Sequence, residues 1–115
     1  MSFEQFDIYL ADLNPKFGTE AGKTRPVLIV QSNLLNKVHP STIICPITTN
    51  VRKDARILRV NLAKGDGGLK KASSIMIDQM RSIDRRRFIK KLGKLPASLH
   101  GEVMSNISIV LDMGI

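Results

Sequence analysis

Residues 18 to 25 read Gly-Thr-Glu-Ala-Gly-Lys-Thr-Arg and place a carboxylate, an ammonium, two hydroxyls and a guanidinium within eight positions. The spacing falls one residue short of the phosphate-binding loop G-x-x-x-x-G-K-[ST], because three residues rather than four separate Gly18 from Gly22. That loop must leave a strand and open a helix, so that backbone amides converge on the phosphates. Here the order is reversed. Pro26 holds Arg25 extended, and Val27-Leu28-Ile29-Val30 is a continuous apolar run that reads as a buried strand. A nucleotide cradle is therefore not expected, although Lys23, Thr24 and Arg25 remain suited to other phosphate chemistry.

Other catalytic inventories come up short. His39 and His100 have no companion histidine or cysteine at ligand spacing, and no G-x-S-x-G elbow or Cys-His signature is present. No metal and no cofactor are expected. What remains is a group of polar side chains at strand ends around one loop: Glu20 and Lys23 within it, Arg25 at its end, Thr48 and Thr49 closing a later apolar run, and Gln79 in another. Phe17, between Lys16 and Gly18, suits base stacking in a basic groove, or equally pins the loop to the body of the protein.

Net charge is +8, and residues 51–100 hold fourteen Lys and Arg against four acids, so that half alone is formally +10 and the rest −2. Arg81, Arg85 and Arg86 lie in this half and are expected, with Lys16, Phe17, Lys23 and Thr49, to contact a partner such as RNA. The asymmetry suits a polyanion, nucleic acid first, with a solvated basic surface as the alternative. The 115 residues make one domain. A single cysteine, Cys45, in an apolar run excludes an internal disulfide and reads as a buried thiol. The N-terminus lacks a basic, apolar leader, and no run approaches membrane-spanning length, so the expected location is the cytoplasm.

The elements that must position these residues follow from periodicity. Strands are expected at 6–13, 25–32, 41–48, 57–62 and 74–83, with a short one over 88–95. The strand 74–83 would place Met76, Asp78 and Met80 opposite Ile75, Ile77, Gln79 and Arg81. Loop 14–24 should be exposed and mobile, and residues 33–39 a polar connection with a short helix. Asp84 should cap a helical turn at Arg85-Arg86-Arg87. After Pro96 the spacing of Leu99, Val103, Ile107, Val110 and Leu111 predicts one long helix over 97–113. Short strands with one terminal helix imply a mainly β fold with some α, a strongly bent sheet or small SH3-like barrel.

Gly18-Thr-Glu-Ala-Gly-Lys-Thr-Arg-Pro-Val-Leu-Ile-Val30, Pro46-Ile-Thr-Thr49, Asp78-Gln-Met-Arg-Ser-Ile-Asp84 and the opening Asp7-Ile-Tyr-Leu-Ala-Asp-Leu-Asn-Pro15 together resemble the MazF/PemK toxins of bacterial toxin–antitoxin modules. The four stretches stand in that family's order and cover nearly the whole chain. The resemblance implies an SH3-like barrel with a C-terminal helix that forms a homodimer. It implies metal-independent, sequence-specific cleavage of single-stranded RNA, leaving a 2′,3′-cyclic phosphate and a 5′-hydroxyl. It also implies a cognate antitoxin whose acidic, disordered segment covers the basic cleft, with operator DNA a partner only of that complex. On the family's pattern Arg25 and Thr48 are the catalytic Arg and Thr, while Gln79 and Glu20 fall on a glutamine and a loop glutamate that affect activity.

The chemistry of the residues is compatible. Attack by the 2′-hydroxyl passes through a phosphorane whose extra negative charge needs donors, which Arg25 and Thr48 supply. A guanidinium stays charged, so Arg25 is better read as phosphate stabiliser than as general acid. Glu20 and Asp78 both remain open as the base, and Met76 stands where plasmid-type members carry an arginine. Each residue also has a structural reading: Arg25 as partner of Asp7 or Asp12, Thr48 as a cap, Gln79 as a backbone ligand. Ala21 replaces the family's usual glutamine. The alternative function is a protein-binding toxin of the same fold, such as the gyrase poisons ending in Trp-Gly-Ile, because this chain ends Met113-Gly114-Ile115.

Overall fold

In the computed structural model, which describes residues 2–114, the expected runs become seven strands and two helices. These are β1 (Asp7–Asp12), β2 (Thr24–Ile29), α1 (Asn33–Asn36), β3 (Ser41–Thr48), β4 (Arg59–Leu62), β5 (Ser73–Met76), β6 (Arg81–Asp84), β7 (Phe88–Lys94) and α2 (His100–Val110). Every ladder is antiparallel. Five strands run β6-β3-β2-β1-β7, and the C-terminal end of β3 also pairs with β5, which carries β4.

The two-residue period of the strands divides the core in two. Tyr9, Ala11 and Leu13 join Val27, Ile29, Ile44, Ile83, Phe88 and Phe3 in one cluster, inside the curl of the five strands. The rings of Phe3, Tyr9 and Phe88 fill it, with centroids 4.8–5.2 Å apart. On the opposite face Ile8, Leu28, Cys45, Ile47, Val60 and Ile75 form the second cluster, which α2 covers with Val103 and Ile107. Burial pushes the Cys45 thiol up to about 12, so it is inert, as expected of a structural cysteine.

The expected barrel is realised as a small, strongly curved antiparallel sheet with a C-terminal helix. Among the described residues no ladder joins β7 to β6 or to β4, so hydrogen bonds do not close it. Backbone packing covers one seam instead. The 3-10 turn Asp66–Gly68 presses on β7, and a Cβ at Gly68 (φ +79) would collide with the Leu92 carbonyl. Gly68→Ala is therefore expected to destabilise the protein by more than about 1 kcal/mol, read as a lowered midpoint in urea unfolding. An unchanged midpoint would mean that the turn does not seat on β7.

The single strand expected over 74–83 is two strands with a 3-10 turn, Ile77–Gln79, between them. Register explains the interruption. Ile47 pairs with Ile75, but Ile44 pairs with Arg81, so three extra residues must loop out between the two ladders on the same edge of β3. The predicted alternation fails there too, since Ile75, Met76 and Ile77 are all buried. α2 begins one turn later than expected, after the 3-10 turn Ala97–Leu99, and ends at Val110. The cap at Asp84 forms as predicted: its Oδ1 accepts from the Arg86 N–H at 2.8 Å.

Candidate functional site

The β2–β3 register assembles the centre of the site. Val27 pairs with Pro46 and Ile29 with Ile44, where the ladder ends; two residues further along each strand, on the same alternation, Arg25 and Thr48 line one depression. Both therefore project from the same face at one mouth of the curled sheet. On the other side Arg25 pairs with Ala11, whose methyl leaves the guanidinium room. Arg25 Nε donates to the Gly22 carbonyl at 2.7 Å, and among the described residues its other guanidinium nitrogens make no hydrogen bond. Among the described residues no carboxylate pairs with it. Of the two acids considered as its partner, Asp7 is held by Lys91 at 3.3 Å, and Asp12 accepts from the Asn14 N–H through Oδ1 at 3.0 Å.

The absence of a counter-ion matters because Arg25 is partly buried. Desolvation holds its pKa below the usual arginine value, which does not discharge a guanidinium but makes it a strong attractor of an incoming anion. Thr48 Oγ1 accepts from the Asn50 N–H at 3.1 Å, so the hydroxyl caps the turn, as its structural reading held, and keeps its own proton to donate. Gln79, on the 3-10 turn rather than a strand, accepts from the Ala21 N–H at 3.2 Å through Oε1. Its amide thus ties the loop to the body of the protein.

The loop expected to be exposed is exposed, but it is fastened at its base. Leu13 N–H bonds the Lys23 carbonyl, Lys23 N–H bonds Asn14 Oδ1, and Arg87 donates to the carbonyls of Asp12 and Asn14. Lys23 adopts φ +69, a strained conformation that these bonds hold in place. Phe17 is 80% exposed, so it does not pin the loop and its ring is available for stacking.

Three adjoining depressions follow from this framework. The first, about 320 Å³, is lined by Lys16, Glu20, Lys23, Arg25, Arg59 and Gln79 among others. The second, about 250 Å³, shares Lys23 and Arg25 and adds Thr48 and Thr49. The third, about 420 Å³, shares Pro26 and Thr49 with the second and is rimmed by Lys70, Lys71 and Lys90. Arg25 stands at the junction of the first two. Glu20 is the one carboxylate lining any of the three, so the groove is strongly electropositive. Asp78, the other base considered, lines none of them.

Sequence reasoning missed Arg59, Lys70, Lys71 and Lys90 as groove residues. Their basic segment was visible in the charge count, but only the fold brings β4, β7 and the 68–73 stretch alongside Thr49. Three expected RNA contacts fall elsewhere. Arg85 stacks its guanidinium 4.9 Å over the Phe3 ring, Arg81 stands opposite Ile44 on β6, and Arg86 pairs with Asp84 at 3.0 Å beside Asp12 and Arg87. Among the described residues no three His, Cys, Asp or Glu side chains converge as a metal site.

A family model for the PemK-like, MazF-like toxins of type II toxin–antitoxin systems matches residues 4–111. The chain belongs to that family. The endoribonuclease MazF of Staphylococcus epidermidis is 37% identical over 107 residues, which cover 93% of this chain and 89% of that protein. The crystal structure of MazF from Deinococcus radiodurans superposes with a TM-score of 0.83 at 25% identity, over 98% of this chain and 99% of that one. A MazE–MazF crystal structure from the same organism gives 0.77 at 25% identity over 99% of both chains. The membership expected from the four motifs holds along nearly the whole chain, and these relatives favour the ribonuclease reading over the gyrase-poison alternative. Ile115, on which the alternative's C-terminal similarity partly rests, lies outside the described residues.

Proposed function

We propose that this MazF-like toxin cuts single-stranded RNA at the junction of the first two depressions, by attack of a 2′-hydroxyl on its own 3′-phosphate. The bond from O2′ to phosphorus forms as the bond to the leaving O5′ breaks. One proton departs from O2′ and one arrives on O5′, leaving a 2′,3′-cyclic phosphate and a 5′-hydroxyl. The observation that supports this reading is that Arg25 and Thr48 line one depression, a partly desolvated guanidinium without a counter-ion and a hydroxyl with a proton to give. Both aim donors at the non-bridging oxygens, where the phosphorane gathers charge. Of the two carboxylates considered, Glu20 shares the groove with Arg25 and is assigned as the base; the groove holds no second acid with which to bind a cation.

Gln79 acts here as a positioning residue, through Ala21. Gln79→Leu is expected to lower kcat/KM by about three- to tenfold, the worth of one hydrogen bond, and mainly through KM. A loss as large as that of an Arg25 substitution would instead place Gln79 on the reacting atoms. The direct test incubates the protein with mixed-sequence single-stranded RNA in EDTA. Discrete cuts are expected, and uncut RNA across diverse sequences would remove the enzyme reading.

The electropositive groove also fits the acidic, disordered segment of a cognate antitoxin, as the pairing of MazE with the D. radiodurans relative supports. Homodimerisation is assigned to the outer face of α2. Met104, Ile109 and Leu111 are exposed there, and Asn106 bonds the Arg56 carbonyl, joining the helix to exposed Ile57 and Leu58. No helix among the described residues is long and apolar enough to cross a membrane; the cytoplasm, where mRNA is translated, is the proposed location.

A further inference from the structure

The third depression differs in chemistry from the two beside it. Its floor is apolar, made by Leu10, Pro26, Leu69 and Leu92, while Lys71 and Lys90 stand on its rim. Its wall is fixed by the backbone contact of Gly68 with β7, so the shape is set by the fold rather than by a mobile loop. Besides its three lysines, two neutral polar side chains line it, Thr49 and Ser73. Ser73 Oγ is already donated to the Lys71 carbonyl, which leaves the Thr49 hydroxyl as the main neutral group facing it.

An aliphatic floor under a cationic rim, joined to the second depression across the edge formed by Pro26 and Thr49, matches one nucleotide: a flat base against the floor and its phosphate against the lysines. We propose that this depression is a base subsite for a nucleotide beside the scissile phosphate, one that accepts any base because it offers a surface to stack on and almost no hydrogen-bond pattern to read. The loop-side depression, with Glu20, Gln79 and Arg59, is by contrast equipped to read base edges. The enzyme would then discriminate on one side of the cut and merely hold on the other. An acidic peptide could use the lysines, but its backbone amides would find few partners on the apolar floor.

The inference rests on Arg25 marking the scissile phosphate, and its test is kept separate from cleavage. An RNA made uncleavable by a single 2′-deoxy nucleotide at the cut site is prepared as a set in which one base at a time is removed, leaving the sugar and phosphate. With the intact protein, loss of one base within two nucleotides of the blocked phosphate is expected to weaken binding about tenfold. Exchanging that base among A, C, G and U should change binding less than about threefold. In Leu10→Asn, a neutral change of the floor, the ratio between intact and abasic RNA should fall towards one, whereas Arg25→Ala should keep it.

Equal binding of all abasic RNAs by a protein that cleaves RNA overturns this proposal and leaves the ribonuclease reading standing. A ratio that survives in Leu10→Asn overturns it as well. An acidic decapeptide serves as the control ligand: if Leu10→Asn abolishes its binding and leaves the RNA ratio intact, the depression belongs to a protein partner and the subsite assignment falls.

Discussion

Arg25→Ala is expected to lower kcat by about 10²- to 10³-fold, the range found when one donor to a developing oxyanion is removed, with RNA affinity reduced by less than about tenfold. The two effects separate because six other basic side chains line the groove and hold the RNA without Arg25. Loss of the guanidinium removes what the transition state needs and the ground state uses little. Arg25→Lys should recover little of the rate. The Nε bond to the Gly22 carbonyl depends on the guanidinium geometry, and an ammonium has no second fork to present once that anchor is lost. Single-turnover cleavage with saturating enzyme reads the chemical step alone. Undiminished cleavage in Arg25→Ala would move the site away from the β2–β3 mouth.

The second large effect is that of salt. Lysines and arginines from the loop, β4, β7 and the 68–73 stretch face one groove, and single-stranded RNA seated there displaces condensed counterions. If about five phosphates are contacted, the slope of log affinity against log salt is about −3.5, and affinity falls by about 10² between 50 and 200 mM salt. Lys71→Gln should reduce the slope by about 0.7, the share of one phosphate contact. Arg86→Gln should leave it almost unchanged, because Arg86 is paired with Asp84 away from the groove. The pairing also holds the Asp84 carboxyl below its ordinary value, chiefly through the hydrogen bond from Arg86. Equilibrium binding to an uncleavable RNA over a salt series measures both. A flat response for the parent protein would mean that the lysine-rich groove does not meet RNA.

Much of this site was legible in the residue order because its central pair sits on strands that the sequence announces. β3 was expected at 41–48 and lies there, and Arg25-Pro26 before an apolar run placed the arginine at a strand mouth. What brings Arg25 and Thr48 to one depression is the way β2 meets β3, and register depends on which hydrophobic faces meet, so it became visible only with the fold. Gln79 shows the limit differently. Its strand-like surroundings hid a three-residue turn created by a register shift on another strand, and local propensity carries no record of that shift. The charge count located a basic half of the chain but not its working face. Arg85 and Arg86 belong to that count, yet Phe3 and Asp84 claim them, while Lys70, Lys71 and Lys90 line the groove.

The family resemblance supplied the reaction, and its proposed placement rests on an uncompensated guanidinium and a threonine hydroxyl that line one depression, with Glu20 the one carboxylate lining the adjoining one. The measurement that tests this most directly is the mass of the cleavage ends, obtained in EDTA with an RNA and with its copy carrying one 2′-deoxy nucleotide immediately 5′ of the cut. The account predicts a 2′,3′-cyclic phosphate on one fragment, a 5′-hydroxyl on the other, and no cut in the deoxy copy. Ends bearing a 3′-hydroxyl and a 5′-phosphate, with the deoxy copy cut equally well, would contradict it, since water rather than the neighbouring hydroxyl would then be the nucleophile.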